Sequence, residues 1–118
     1  MITHTMNLDV VPYGTSPQVR LSGYDVDFKL IINLFASRGH FIIEPNTTIF
    51  VRGVKLNGDP LEQQVTFDAN GTVTIPGRVF GVDRYGSGVF ELCLVHGGKE
   101  LYTSNFYILV EPSPAERM

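Results

Sequence analysis

The sequence predicts an all-β domain, a sandwich or a barrel, and three observations carry this prediction. First, residues 88–111 contain two apolar segments on either side of Gly97-Gly98, a dipeptide that tolerates positive φ and suits a tight hairpin. Second, turn-forming residues recur at short intervals along the chain, as they do in sandwiches and barrels. Third, no apolar pattern with a 3.6-residue period lasts for ten residues, so we expect little helix.

Strands are predicted in the first half of the chain where apolar residues lie between turn signals. These segments are residues 6–11, 18–21 and 25–35, with a short apolar segment at 41–43. Segment 25–35 has the clearest pattern, because apolar side chains two residues apart fall on one face of a strand. That row comprises Val26, Phe28, Leu30, Ile32 and Leu34. The other face carries charged and amide side chains, which indicates a half-buried strand.

The second half continues with strands at 47–55, 63–67 and 72–75, preceded or separated by turn signals that include two Asn-Gly pairs. Segment 77–86 is irregular and is predicted to be a crossing loop with room for one helical turn. The hairpin of residues 88–111 completes the sheet, and the prolines after it end the ladder because proline has no N–H to donate. We therefore expect one domain over residues 1–118, with its core at roughly 7–111 and a tail or the start of a linker at 112–118.

Composition argues against several classes of function. The net charge is −3, and the nine basic residues form no cluster that could neutralise nucleic-acid phosphates. The apolar runs are shorter than the ~20 residues of a membrane-spanning helix. The first ten residues lack a signal-peptide pattern, so we expect synthesis in the cytosol without export by the usual signal.

The sequence offers no constellation for catalysis, a metal or a cofactor. His4, His40 and His96 are each expected alone in a terminus or turn, and no metal-binding spacing joins them. Cys93 is the only cysteine and lies between two leucines of a strand, where a cysteine usually behaves as a small buried hydrophobe. We therefore predict a protein that is not an enzyme and carries neither metal nor cofactor.

Exposed aromatic residues are the better candidates for a functional surface. Tyrosine is common at protein interfaces because its ring is apolar and its hydroxyl forms hydrogen bonds. Four residues in predicted loops or on an outer strand face are assigned to a partner interface: Tyr13, Phe80, Tyr85 and Tyr107. Phe80 and Tyr85 look hard to bury locally, so replacing both with alanine is expected to leave thermal stability nearly unchanged. Two other readings stay open for the tyrosines: a sugar-binding platform, and rings that are simply buried with a solvated hydroxyl.

Three segments of the chain resemble the N-terminal domain of the phage baseplate upper protein family. They are LDVVPYGTSPQVRLSGYDVDFKLIINLF, TTIFVRGVKLNGDP and FELCLVHGGKELYTSNFYILVEPSP. The family pattern has a polar turn before a long strand, a strand pair around an Asn-Gly or Asp-Gly turn, and a final hairpin ending in T-x-N-F-x-x-x-V. Here these slots are filled by residues 23–25, by residues 55–58 and by residues 103–106 with Val110. The resemblance extends over roughly residues 7–114.

This resemblance implies an immunoglobulin-like antiparallel β-sandwich in a structural protein of a virion. It also implies a module that docks a longer protein onto the tail baseplate, with other virion proteins as partners and with trimers in some relatives. Because this chain ends at Met118, we expect either an excised domain or a self-contained relative. Two alternatives stay open: a capsid decoration or head-fibre protein, and a carbohydrate-binding adhesion module.

The outer face of the final hairpin is less polar than a solvated face should be. Its expected members are Val89, Glu91, Cys93, Val95, Leu101, Tyr107 and Leu109. We therefore predict that this second face is also covered, by the other sheet, by a neighbouring subunit or by a virion partner.

Overall fold

A computed structural model describes residues 2–11, 14–22, 27–36, 39–68 and 70–112. In these residues the chain forms ten strands and one short 3-10 turn, Gly77–Phe80, which lies inside the segment predicted as a crossing loop. The strands are β1 (Ile2–Asp9), β2 (Gln18–Ser22), β3 (Phe28–Ala36), β4 (Gly39–His40), β5 (Thr48–Val54), β6 (Pro60–Phe67), β7 (Thr72–Pro76), β8 (Gly86–His96), β9 (Lys99–Tyr102) and β10 (Phe106–Glu111). The predicted all-β class is confirmed.

The strands pair in the order β1-β3-β7-β6-β5-β8-β10-β2, with β4 added to β3 and β9 added to β8. We call β1, β3, β4 and β7 sheet 1, and β2, β5, β8, β9 and β10 sheet 2. Strand β6 pairs with β5 over six residues and with β7 over two, so it joins the two sheets along one side. The opposite side stays open in the pairing order, with β1 and β2 as its two terminal strands.

Two strand pairs are parallel, which corrects the expectation of a purely antiparallel sandwich. Strand β1 runs parallel to β3 over eight residues, and β10 runs parallel to β2 over five. A parallel pair needs a connection that crosses to another part of the structure before it returns. Here β2 supplies that crossing for β1 and β3, because it lies in sheet 2 while both of its neighbours in the chain lie in sheet 1.

The core lies between the two sheets and is built from alternate residues of the longer strands, whereas β4 and β9 contribute no buried residue. On β3 the predicted row is confirmed for Phe28, Leu30, Ile32 and Leu34, all at most 2% exposed, whereas Val26 lies outside the described residues. Strand β8 contributes a matching row from sheet 2, Phe90, Leu92 and Leu94. Because each such side chain contributes roughly 1.5–3 kcal/mol when fully buried, these facing rows dominate the stability of the fold.

Four phenylalanines form an aromatic cluster at the end of the sandwich where β3 and β8 begin: Phe28, Phe80, Phe90 and Phe106. The ring of Phe80 lies 4.9 Å from Phe90, 6.1 Å from Phe106 and 6.3 Å from Phe28, measured between centroids. The 3-10 turn points the Phe80 side chain inward, and none of its surface is exposed. The expectation that Phe80 is a surface residue is therefore wrong, because the loop that carries it folds back between the sheets.

The final hairpin is interrupted by one extra residue, which the alternation of side chains does not predict. Strand β9 pairs with β8 so that Leu101 lies opposite Leu94, but β10 pairs with β8 in a register shifted by one residue, with Phe106 opposite Phe90. The extra residue is Ser104, which makes this site a β-bulge. The shift corrects the placement of Leu101, which shares the inner side of the sheet with Leu94 rather than the outer face.

Hydrogen bonds of Thr103 and Ser104 stabilise the bulge, and both residues are fully buried. The Thr103 hydroxyl accepts the Leu92 N–H at 2.9 Å and donates to the Ser104 carbonyl at 2.9 Å. The Ser104 hydroxyl donates to the Thr15 carbonyl at 2.7 Å, and the Ser104 N–H donates to the Asp9 carbonyl at 3.0 Å. The bulge thus connects the hairpin to the last residue of β1 and to the segment between β1 and β2.

A substitution at Thr103 tests the role of its hydroxyl in the bulge. Thr103→Val keeps the shape of the side chain but leaves the buried Leu92 N–H without its hydroxyl acceptor, so we expect a loss of about 2 kcal/mol in the free energy of unfolding. Thr103→Ser retains the hydroxyl and should lose clearly less. Urea denaturation of both variants checks this, and an equal loss in both would show that the methyl group contributes as much to stability as the hydroxyl and its hydrogen bonds.

Candidate interaction surfaces

The four residues assigned to an interface from the sequence do not lie together. Tyr13 lies outside the described residues, and Phe80 is in the core. Tyr85 is 54% exposed at the end of sheet 2 where β8 begins, and Tyr107 is 38% exposed on the outer face of β10. Of the four, Tyr85 and Tyr107 are therefore the described residues that a partner could reach.

Tyr107 belongs to a row of apolar side chains that crosses four strands on the outer face of sheet 2. Strand pairing places Tyr107 beside Val89, Val89 beside Val54, and Val54 beside Pro60. We call Pro60, Val54, Val89 and Tyr107 the apolar row. Val54 is 45% exposed and Pro60 is also exposed, so the row is open to solvent over most of its length. Its span is roughly 14 Å, given the usual distance between neighbouring strands.

A charged row lies next to the apolar row, two residues further along each strand. Arg52 on β5 lies between Glu62 on β6 and Glu91 on β8. The Arg52 Nε atom is 3.5 Å from a Glu62 carboxylate oxygen, and both side chains are well exposed. Because solvent screens such an exposed pair, it adds little to stability. The three side chains instead give this part of the face an alternating pattern of negative and positive charge.

The next row on the outer face of sheet 2 contains Cys93, and the neighbouring side chains of this row cover it. Cys93 is 2% exposed, yet it alternates with the inward-facing Leu92 and Leu94 and so points to the outer side of sheet 2. Its cross-strand neighbours are Phe50 and Tyr102. The predicted burial of Cys93 is confirmed, although the covering side chains belong to its own sheet.

Tyr102 also connects this row to the charged row. Its hydroxyl donates a hydrogen bond to Glu100, and this bond raises the pKa of Tyr102 above its usual value. The Arg52 guanidinium lies 5.7 Å above the Tyr102 ring, within reach of a cation–π interaction, and hydrogen bonding to Tyr102 raises the pKa of Arg52. The outer face of the hairpin is therefore covered by its own side chains at Cys93 and left open at the apolar row.

A cleft of about 320 Å³ lies at the other end of the sandwich, between residues 41–47 and the β8–β9 hairpin. Phe41, Leu94 and Leu101 give it an apolar wall, and Thr47 and His96 contact each other at its rim, 3.4 Å apart. The Thr47 hydroxyl donates to the Glu44 carbonyl at 2.7 Å, which closes the loop on one side. Leu101 reaches this cleft because of the bulge at Ser104.

The histidines are separated in the fold and are packed against other groups. His4 lies within β1 and contacts the Phe28 ring edge-on at 5.6 Å, while His40 stacks on Phe35 at 4.8 Å. Within the described ranges, no group of three or more His, Cys, Asp or Glu side chains is arranged to hold a metal ion. In the same ranges, no helix has the length and apolar character needed to cross a membrane.

The outer face of sheet 1 is mainly polar, in contrast to that of sheet 2, although Ile31 lies on it between Thr5 and Thr74. The Thr72 hydroxyl donates to the Asn33 side chain at 3.2 Å, and the Asn33 amide donates to Asn7 at 3.5 Å, so hydrogen bonds cross three strands. Further threonines follow on the same face, among them Thr5, Thr66 and Thr74.

Comparisons with known proteins found a similar fold among solved structures and no match among sequences. No protein-family model matches the sequence, and no curated protein matches it. Among solved structures, the N-terminal domain of phage TP901-1 ORF48 is similar, with a TM-score of 0.70 and 20% sequence identity. The match covers 94% of this chain and 99% of that domain. The resemblance to a phage N-terminal domain is thereby confirmed at the level of the fold: this chain has the same all-β architecture as the N-terminal domain of phage TP901-1 ORF48.

Proposed function

We propose that the protein is a non-enzymatic structural module of a phage particle, which docks onto a neighbouring virion protein of the tail baseplate. The observation that carries this proposal is the fold match to the ORF48 N-terminal domain, which spans almost all of both chains. The order and spacing of the sequence segments that resemble baseplate upper proteins support the same assignment. We propose the virion as its location, after synthesis in the host cytoplasm.

We assign the docking contact to the apolar row on sheet 2. An interface needs an apolar centre with a polar rim, and tyrosine is among the residues enriched there. The apolar row supplies the centre through Tyr107, Val89 and Val54, and the charged row supplies one rim through Arg52, Glu62 and Glu91. Tyr85 lies beyond the start of β8 and would contribute at the periphery of this surface.

The docking contact is tested by replacing two exposed side chains of the apolar row, Val54 on β5 and Tyr107 on β10. In the double variant Val54→Ser, Tyr107→Ser we expect stability to change little, because both side chains are more than a third exposed. We expect binding to the partner to weaken about 30-fold, the effect of losing roughly 2 kcal/mol at the centre of an interface. The measurement is the amount of each variant incorporated into particles, by quantitative mass spectrometry.

A matched control comes from the polar face of sheet 1. The double variant Thr66→Ala, Thr74→Ala likewise shortens two outward-facing side chains, which here pair with each other across β6 and β7, and we expect normal incorporation. Normal incorporation of the Val54/Tyr107 variant would disprove the assigned surface. Absence of the wild-type protein from purified particles would disprove the proposed function itself, and its presence in hundreds of copies on heads would favour capsid decoration.

A further inference from the structure

Strand β1 is an open edge of sheet 1. It hydrogen-bonds as a strand to β3 alone among the described residues, and its eight consecutive pairs with β3 contain no bulge. Residues 2–8 include no Asp, Glu, Lys or Arg, and no proline or glycine. Natural proteins usually protect an exposed edge with such charges, with proline, with a bulge or by keeping the strand very short. Residues 2–8 of β1 carry none of these protections.

The other edges of the described sheets are protected. Strand β2, the other terminal strand, carries Arg20 at its centre, with a side chain 70% exposed and 3.7 Å from Glu111. Strand β9 begins with Lys99 and Glu100, and β4 has only two residues. The difference singles out β1 as the edge to which another strand can add.

The core-facing side of β1 is also incompletely covered near its beginning. Met6 and Leu8 are buried, but Ile2, which points to the same side, is 42% exposed. The Nε2 atom of His4 is buried and forms no hydrogen bond with any described residue. Inward-facing side chains of an added strand would lie beside Ile2 and His4, and would complete the row that Met6 and Leu8 begin.

We propose that β1 pairs with β1 of a second copy of this chain, antiparallel and about a two-fold axis at Thr5. Thr5 would then lie opposite the partner's Thr5, and Thr3 opposite the partner's Asn7, on the polar outer face. Cross-strand threonine pairs are favourable, and no like charges would meet along residues 2–8. The same arrangement at β2 would bring two Arg20 side chains together. The proposal follows from the strand order and composition and does not depend on the proposed function.

The size of this contact sets its strength. Two edges of seven residues bury much less than the ~800 Å² per partner of a standard stable interface. We therefore expect a weak dimer with a Kd of roughly 0.1–1 mM, which forms where copies are concentrated or held side by side. In such a dimer sheet 1 of one copy continues directly into sheet 1 of the other.

Sedimentation velocity of the whole chain between about 10 µM and 1 mM tests the proposal. The wild type should shift from monomer toward dimer across this range. Thr5→Lys places two positive charges at the centre of the pair and should abolish the shift, while the matched variant Gln18→Lys adds the same charge to the β2 edge and should not. A wild type that stays monomeric at 1 mM, or a dimer that survives Thr5→Lys, would overturn the proposal, as would equal effects of the two variants.

Cysteine crosslinking provides a second measurement that does not depend on charge. Thr5→Cys faces itself across the proposed axis and should form a disulfide-linked dimer under mild oxidation, whereas Gln18→Cys should stay monomeric. The native Cys93 is 2% exposed, so we expect it to contribute little to crosslinking. The wild type, oxidised in the same way, gives the size of that contribution. Crosslinking at residue 18 but not at residue 5 would assign any self-association to the β2 edge and disprove the proposed pairing.

Discussion

Phe80→Ala is expected to lower the free energy of unfolding by about 4 kcal/mol, because it removes a fully buried aromatic ring and leaves a cavity. The Phe80 ring contacts three other phenylalanine rings, and each of these belongs to a paired strand of the sandwich. For a chain of this length the thermal midpoint should fall by roughly 12–20 °C. Thermal unfolding followed by circular dichroism measures the change.

Two further variants make this prediction specific to burial. Tyr85→Ala removes a ring that is 54% exposed, and we expect a change within about 0.5 kcal/mol. Phe80→Leu leaves a smaller cavity, so its loss in the free energy of unfolding should lie between those of Phe80→Ala and Tyr85→Ala. A Phe80→Ala protein as stable as Tyr85→Ala would mean that the 3-10 turn does not hold this ring in the core.

Gly53→Ala is expected to cost about 3 kcal/mol or more, because the space that an alanine Cβ needs is already filled by backbone. A Cβ at Gly53 would lie 2.0 Å from the Val89 carbonyl oxygen and 2.8 Å from the Phe90 Cα. Relief would require β5 to separate from β8, and these two strands pair over seven residues at the centre of sheet 2. The φ of 155° at Gly53 adds strain for any other residue.

Gly39 provides a control with nearly the same backbone angle. Its φ is 156°, and a Cβ there would meet no atom within 4 Å. The difference in the free energy of unfolding between Gly53→Ala and Gly39→Ala therefore measures the steric contribution alone. We expect Gly39→Ala to cost about 1 kcal/mol from backbone strain. Equal losses would show that the backbone angle, and not the contact with β8, makes glycine necessary at residue 53.

Local patterns were sufficient to predict most of the strands. The alternation along β3 identified the buried row from Phe28 to Leu34, because side chains two residues apart in a strand lie on the same face. The turns at Asn57-Gly58, Asn70-Gly71 and Gly97-Gly98 also lie where the sequence placed them, since turn chemistry resides in two to four adjacent residues. The low helix content followed from the same kind of evidence.

The candidate surface was predicted only in part. Tyr107 was identified because an aromatic residue at an outward position of an alternating strand stands out in the sequence. Its neighbours Val54 and Pro60 were missed, because they join it through cross-strand pairing between segments about fifty residues apart. No signal within either segment shows which residue of a distant strand lies beside it.

The all-β class, the main strands, the turns and the apolar face of most strands were predictable from the sequence, because each of these depends on residues close together in the chain. Three features became visible in the folded chain alone: the burial of Phe80, the two parallel strand pairs, and the extra residue at Ser104 that turns Leu101 to the inner side of the sheet. These features depend on which distant segments meet and in what register. A register shift of one residue exchanges the two faces of a strand, so side-chain alternation alone could not foresee it.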